Sequence, residues 1–151
     1  EAGRFGESFT LAGGSRSELR YGENPHQNAA FYRIGGLSEP SVATGEVLGG
    51  KALSFNNIFD LDAALALVKE FEAPAVAVIK HTNPCGAATA KDPMEAFRAA
   101  YQGDPTSAFG GIAALNRPVT KALAEEIADV QGRADRLPGN RQGGGQRSVP
   151  P

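Results

Sequence analysis

Ala75-Val-Ala-Val-Ile79, followed at once by Lys80-His-Thr-Asn-Pro-Cys-Gly86, is the stretch that decides the fold of this 151-residue chain. Five compact apolar residues with β-branched members read as a buried strand. Thr82, Asn83, Pro84 and Gly86 then read as a sharp turn. Upstream, Ile58, Leu61, Leu65 and Val68 recur at helical spacing, with Ala64, Leu67 and Phe71 widening the stripe, and Pro74 stops that helix. Downstream, Asp92-Pro-Met-Glu95 combines an acidic cap, a first-turn proline and a capping-box glutamate. Met94, Phe97 and Tyr101 give the helix it opens an apolar face, and Gly103 ends it. Gly111-Ile-Ala-Ala-Leu115 is a second buried strand, and Val119, Leu123, Ile127 and Val130 mark a third helix. Asn28 to Arg33 is a further short strand, and Gly45 to Leu53 is punctuated by glycine, with Lys51 in a turn or strand. Helix, strand, helix, strand, helix predicts an α/β fold with helices packed on a mixed sheet.

Composition narrows the function classes. Apolar residues make up 41% and charged residues 21%, which excludes a wholly disordered chain. A formal charge of −2 argues against binding nucleic acid or an acidic membrane by bulk charge. No apolar run approaches the ~18 residues that a spanning helix needs. One cysteine cannot form an internal disulfide, which fits a reducing cytosolic setting. With Cys85, His26 and His81 as the only cysteine and histidines, a four-ligand Cys/His zinc site is ruled out within the chain. There is no initiator methionine, so residue 1 is expected to lie inside a longer reading frame or behind a processed start.

Four segments could carry chemistry. The strand Ala75–Ile79 delivers Lys80 and His81 at its carboxyl end, where α/β sheets bind ligands. A fixed cation beside an imidazole suits oxyanion stabilisation together with proton transfer; an ordinary strand end with a turn-capping histidine is the alternative. Leu19-Arg-Tyr-Gly-Glu-Asn-Pro-His-Gln27 gathers a guanidinium, a phenol, a carboxylate, amides and an imidazole, and Arg20 could clamp a phosphate or carboxylate; a polar turn before a strand is its plainer reading. Gly103-Asp-Pro-Thr-Ser-Ala-Phe-Gly-Gly-Ile112 would let backbone amides approach a ligand, or simply connect a helix to a strand. In Leu53-Ser-Phe-Asn-Asn-Ile58, Asn56 or Asn57 is expected to cap or enter the helix. Pro84-Cys85 invites comparison with zinc deaminases, but no second cysteine follows and no His-x-Glu is present, so Cys85 reads as a small buried side chain.

Taken together and in order, Leu19–Gln27, Leu53-Ser-Phe-Asn-Asn57, Asp60-Leu-Asp-Ala-Ala64, Ile79–Gly86 and Asp104–Ile112 closely resemble the bifunctional purine-biosynthesis family that joins AICAR transformylase to IMP cyclohydrolase. The resemblance covers roughly residues 5–128. It implies formyl transfer from 10-formyltetrahydrofolate to the 5-amino group of AICAR, with no metal. By the same resemblance His81 takes the proton from the attacking amine and Lys80 steadies the charge on the formyl oxygen. Arg20, Tyr21, Gly110 and Asn83 are implied in the AICAR site, Asn83 also in orienting the turn. The family fold is a three-layer α/β/α arrangement like that of cytidine deaminases, built twice, and the chain is expected to hold about the first copy. Family active sites form at a homodimer interface, so the chain alone is expected to be weakly active or inactive. A non-catalytic purine-nucleotide-binding module is the rival reading.

The resemblance assigns residues 1–130 to the N-terminal part of the transformylase domain. Residues 131–151 carry five Gly, three Pro and four Arg against one acid and have no periodicity. They are expected to be a disordered, off-family tail, arising from out-of-frame translation of a fragmentary reading frame.

Overall fold

The computed structural model describes residues 8–36 and 38–134. It divides into two compact units, Glu1–Phe55 and Asn56–Pro151. In the first unit β1 (Gly13–Glu18) and β2 (Ala30–Ile34) form an antiparallel ribbon with an irregular register between Gly14 and Ser17. A single 3-10 turn, Val42–Thr44, follows, and its entry is closed by reciprocal bonds between Ser41 and Thr44. Where the sequence suggests a turn or strand around Lys51, residues 45–53 form no regular element.

The helix α1 (Phe55–Lys69) leads into the second unit. There β3 (Ala75–Lys80) is central, flanked by β4 (Asn83–Thr89) and β5 (Ile112–Leu115), with α2 (Pro93–Gly103) and α3 (Lys121–Ala134) completing the order. Residues Ala75 to Ile79 are all buried, as the compact apolar run requires. Their side chains alternate between two cores. Val76 and Val78 pack with Phe97 and Ala100 of α2 and Leu123 of α3. Ala77 and Ile79 pack with Ala64 and Val68 of α1. The strand therefore has helices against both of its faces, which is why it carries no polar alternation.

The expected mixed sheet is corrected: every strand pair among the described residues is antiparallel. The cause is local. The segment after Lys80 is a two-residue turn that sends the chain straight back as β4, with Lys80 opposite Asn83. Asn83-Pro-Cys-Gly86, rich in turn-forming residues, is thus strand rather than loop.

The helices start and pack for legible reasons. Asp92 caps α2, accepting from the Glu95 amide at 2.9 Å, and Pro93 opens the first turn. The buried face of α2 is Ala96, Phe97 and Ala100, rotated from the predicted Met94–Phe97–Tyr101 line. Small residues win because α2 lies directly on β4: a Cβ on Gly86 would stand 1.9 Å from the Ala100 carbonyl oxygen. In α1 the deep positions are Ala64 and Val68, and Asn56 and Asn57 occupy the first turn rather than precede it. Val119 lies outside α3 and is exposed; Thr120 instead precedes the helix, its hydroxyl accepting from the Leu123 amide. At the sheet's far end, the Asn116 side chain accepts from Ala75 N and donates to the carbonyls of Phe71 and Ala73, locking the α1–β3 connection. The helix α3 runs through Ala134, so residues 131–134 are helical where a disordered tail was expected, and the rest of that tail lies outside the described residues.

Candidate active site

In the second unit, Lys80, His81, Asn83, Pro84, Cys85, Asp104 and Ser107 line one open hollow of about 410 Å³. It sits at the carboxyl end of β3, where the sheet's ladder stops and side chains fan out. Three backbone devices build it.

The first is the turn. His81 has φ 53° and Thr82 φ 61°, the sign pattern that a type I′ hairpin demands at both central residues. Glycine and asparagine are the usual occupants, and a side chain with a Cβ in this region costs roughly 1–2 kcal/mol. For β-branched Thr82 the conformation is an outlier. Local bonds offset the strain: the His81 carbonyl accepts from the Thr82 hydroxyl at 2.7 Å and from Asn83 Nδ2 at 2.8 Å, while the Thr82 amide donates to Asp60 Oδ1 at 2.8 Å. The Asn83 side chain thus bonds back onto the turn that precedes it.

The second is a β-bulge. Val78 pairs with Gly86 and Ile79 with Pro84, which leaves Cys85 as the unpaired residue. Pro84, lacking an N–H, is tolerated there. Cys85 is half-buried rather than buried: it packs partly against the α2–α3 core and also lines the hollow. Burial pushes its thiol pKa up, Asp104 pushes it further, Lys80 opposes and Asp60 adds to the rise.

The third is the loop from Asp104 to Gly111. Asp104 Oδ1 accepts from the Ser107 amide at 3.0 Å and its other oxygen accepts from the Ser107 hydroxyl. These bonds hold the Asp104 carboxyl below its ordinary value. The Lys80 ammonium crosses to this loop, donating to the Phe109 carbonyl at 2.8 Å. Gly110 follows in the left-handed region at φ 72°, where a Cβ-bearing residue would be strained. Lys80, His81, Asn83 and the Gly110 loop are therefore brought together within one unit.

Arg20 and Tyr21 belong to the other unit. They are tied to the Leu53–Phe55 segment by two backbone bonds, Arg20 N to Leu53 O at 2.8 Å and Phe55 N to Tyr21 O at 3.1 Å, so two of the sequence motifs meet there. The Arg20 guanidinium lies 4.9 Å from the centre of the Tyr21 ring and also donates to its hydroxyl at 3.2 Å. The turn behind them is closed by Gly22 N to Gln27 O at 2.8 Å and by Gln27 Oε1 accepting from Asn24 N.

The AICARFT/IMPCHase bienzyme family matches residues 1–131. The chain belongs to that family. Among its relatives, the Bifunctional purine biosynthesis protein PurH of Rhodospirillum rubrum is 58% identical over 122 residues, 81% of this chain and 23% of that protein. The PurH of Anaeromyxobacter sp. is 53% identical over 131 residues, 86% of this chain and 25% of that protein. That of Oceanobacillus iheyensis is 50% identical over 127 residues, 84% of this chain and 25% of that protein. The chain of this AICARFT/IMPCHase family member thus spans about a quarter of the length of the curated relatives it matches.

Sequence reasoning singles out Lys80, His81, Asn83 and Gly110, which lie in this unit, and gives no role to Asp60, Asp104 or Ser107. The Asp-Pro-Thr-Ser107 spacing carried a signal, because an aspartate three residues before a serine is a common self-closing turn. Asp60 carried none, since its partner lies 22 residues away. Among the described residues no three His, Cys, Asp or Glu side chains gather as a metal site, and no helix is long and apolar enough to cross a membrane.

Proposed function

We propose that this segment supplies the proton-transfer and oxyanion-stabilising groups for formyl transfer from 10-formyltetrahydrofolate to the 5-amino group of AICAR. The observation that carries the reading is Lys80 and His81 lining a single hollow on a strained turn, held by Asn83. The amine nitrogen attacks the formyl carbon and His81 takes the amine proton. Lys80 faces the oxyanion of the tetrahedral intermediate, a placement that is worth several kcal/mol in a preorganised site. Collapse breaks the bond from the formyl carbon to the folate N10, which takes up a proton, giving FAICAR and tetrahydrofolate. Gly110 offers a backbone approach to the nucleotide, and Arg20 with Tyr21 an anion and ring contact. Family membership supports the substrate class, and the relatives' bifunctional purine-biosynthesis naming supports an IMP cyclohydrolase elsewhere in the whole protein.

Helices against both faces of β4-β3-β5 support a three-layer, cytidine deaminase-like region. Residues 1–130 belong, in this reading, to the N-terminal part of a transformylase that acts as a homodimer in the cytosol. The test is a chimera in which residues 8–130 replace the matching segment of the Rhodospirillum rubrum relative. Formyl transfer that His81→Ala abolishes, with cyclohydrolase activity retained, supports the reading. AICAR binding without turnover points instead to a purine-nucleotide-binding module.

A further inference from the structure

The turn that presents His81 is anchored from outside the hairpin. Asp60 lies on α1, one helical turn before Ala64 and two before Val68, the residues that pack against Ala77 and Ile79. That stripe is apolar along the strand and becomes acidic where the strand ends. There Asp60 Oδ1 meets the Thr82 amide at 2.8 Å. Thr82 and His81 both occupy a conformation that side chains with a Cβ avoid, and such backbone persists only where its surroundings over-determine it. The bonds from the Thr82 hydroxyl and the Asn83 amide to the His81 carbonyl come from the turn's own residues and move with it. The bond from Asp60 comes from a different element and fixes the turn to the helix against which β3 is packed.

We infer that Asp60 is a positioning residue for His81, its carboxylate holding the strained turn so that the imidazole stays beside Lys80 at the hollow. This rests on the formyl-transfer reading for its purpose, not for its geometry. A half-buried acceptor on a packed helix defines a direction, whereas a free hairpin tip would sample several.

The experiment uses the 151-residue chain, isotope-labelled, as wild type, Asp60→Ala and Asp60→Asn. In wild type a scalar coupling across the hydrogen bond links the Thr82 amide nitrogen to the Asp60 carboxylate carbon. In Asp60→Ala the Thr82 amide exchanges about tenfold faster or more and the His81 ring resonances shift, while exchange in β3 is unchanged. Asp60→Asn, which keeps an oxygen acceptor at the same place, restores both. A Thr82 amide blind to Asp60 in wild type overturns the proposal even if the alanine variant fails to fold, and so do unchanged His81 resonances in a folded Asp60→Ala. Formyl transfer in the chimera separates the two claims. Its loss in Asp60→Ala, with recovery in Asp60→Asn, supports the positioning role. Absence of transfer in the unsubstituted chimera counts against the formyl-transfer reading, and the Thr82 and His81 signals of the chain itself still decide the role of Asp60.

Discussion

The Lys80 ammonium and the Phe109 carbonyl oxygen are hydrogen-bonded at 2.8 Å, joining the end of β3 to the loop that precedes β5. One side chain therefore both ties the loop down and sets a cation at the hollow. Lys80→Met removes both functions. Amide exchange from Ala108 to Gly111 should accelerate in this chain, and formyl transfer in the chimera should fall by about 10²–10³, the usual loss when a preorganised charge-stabilising group is deleted. Unchanged exchange in the loop would show that the Phe109 bond restrains nothing.

The Cys85 thiol is held neutral by burial first and by the Asp104 carboxylate second, against the pull of Lys80. Alkylation by iodoacetamide should therefore rise only above the ordinary cysteine range, near pH 8.5. Asp104→Asn removes a negative charge beside the sulfur, so its alkylation profile should move to lower pH; movement to higher pH contradicts the assignment. Asp104 itself is shifted down by its Ser107 bonds. Its stabilising effect on the loop is present above the unfolded aspartate value, near 3.9, and is lost as pH falls through the lower folded value. Exchange of the Ser107 amide across acid pH reads that loss.

Gly86 is required by contact rather than by dihedral angle. An added Cβ would meet backbone, the Ala100 carbonyl at 1.9 Å, which cannot rotate away as a side-chain tip could. Gly86→Ala should push α2 off β4 and destabilise the second unit by about 3 kcal/mol, read as a lowered midpoint in urea. Stability equal to wild type would mean that α2 sits farther from the sheet.

What the sequence disclosed followed from how local each signal was. Ala75–Ile79 announced itself through β-branching, and Asp92-Pro93 through capping chemistry, because both act within a few residues. Gly13-Gly-Ser-Arg-Ser-Glu18 has no strand propensity and becomes β1 only by pairing with β2. Asn83–Gly86 reads as a turn by composition and becomes β4 because β3 offers a free edge. The same divide runs through the candidate site. Lys80 and His81 were legible as neighbours at a strand end, whereas Asp60 enters through a contact 22 residues distant. Cys85 was read as buried because its residue type usually is, and only the register shows it as the member left over.

That register has one more consequence. A chain shortened by deleting Cys85 would still place Gly86 against Val78 and Pro84 against Ile79, so the ladder would close without a gap. Folding of the sheet does not call for the supernumerary position. What it supplies is width at the rim, a strand made locally too long so that the residues beyond it splay around a cavity instead of continuing a flat surface.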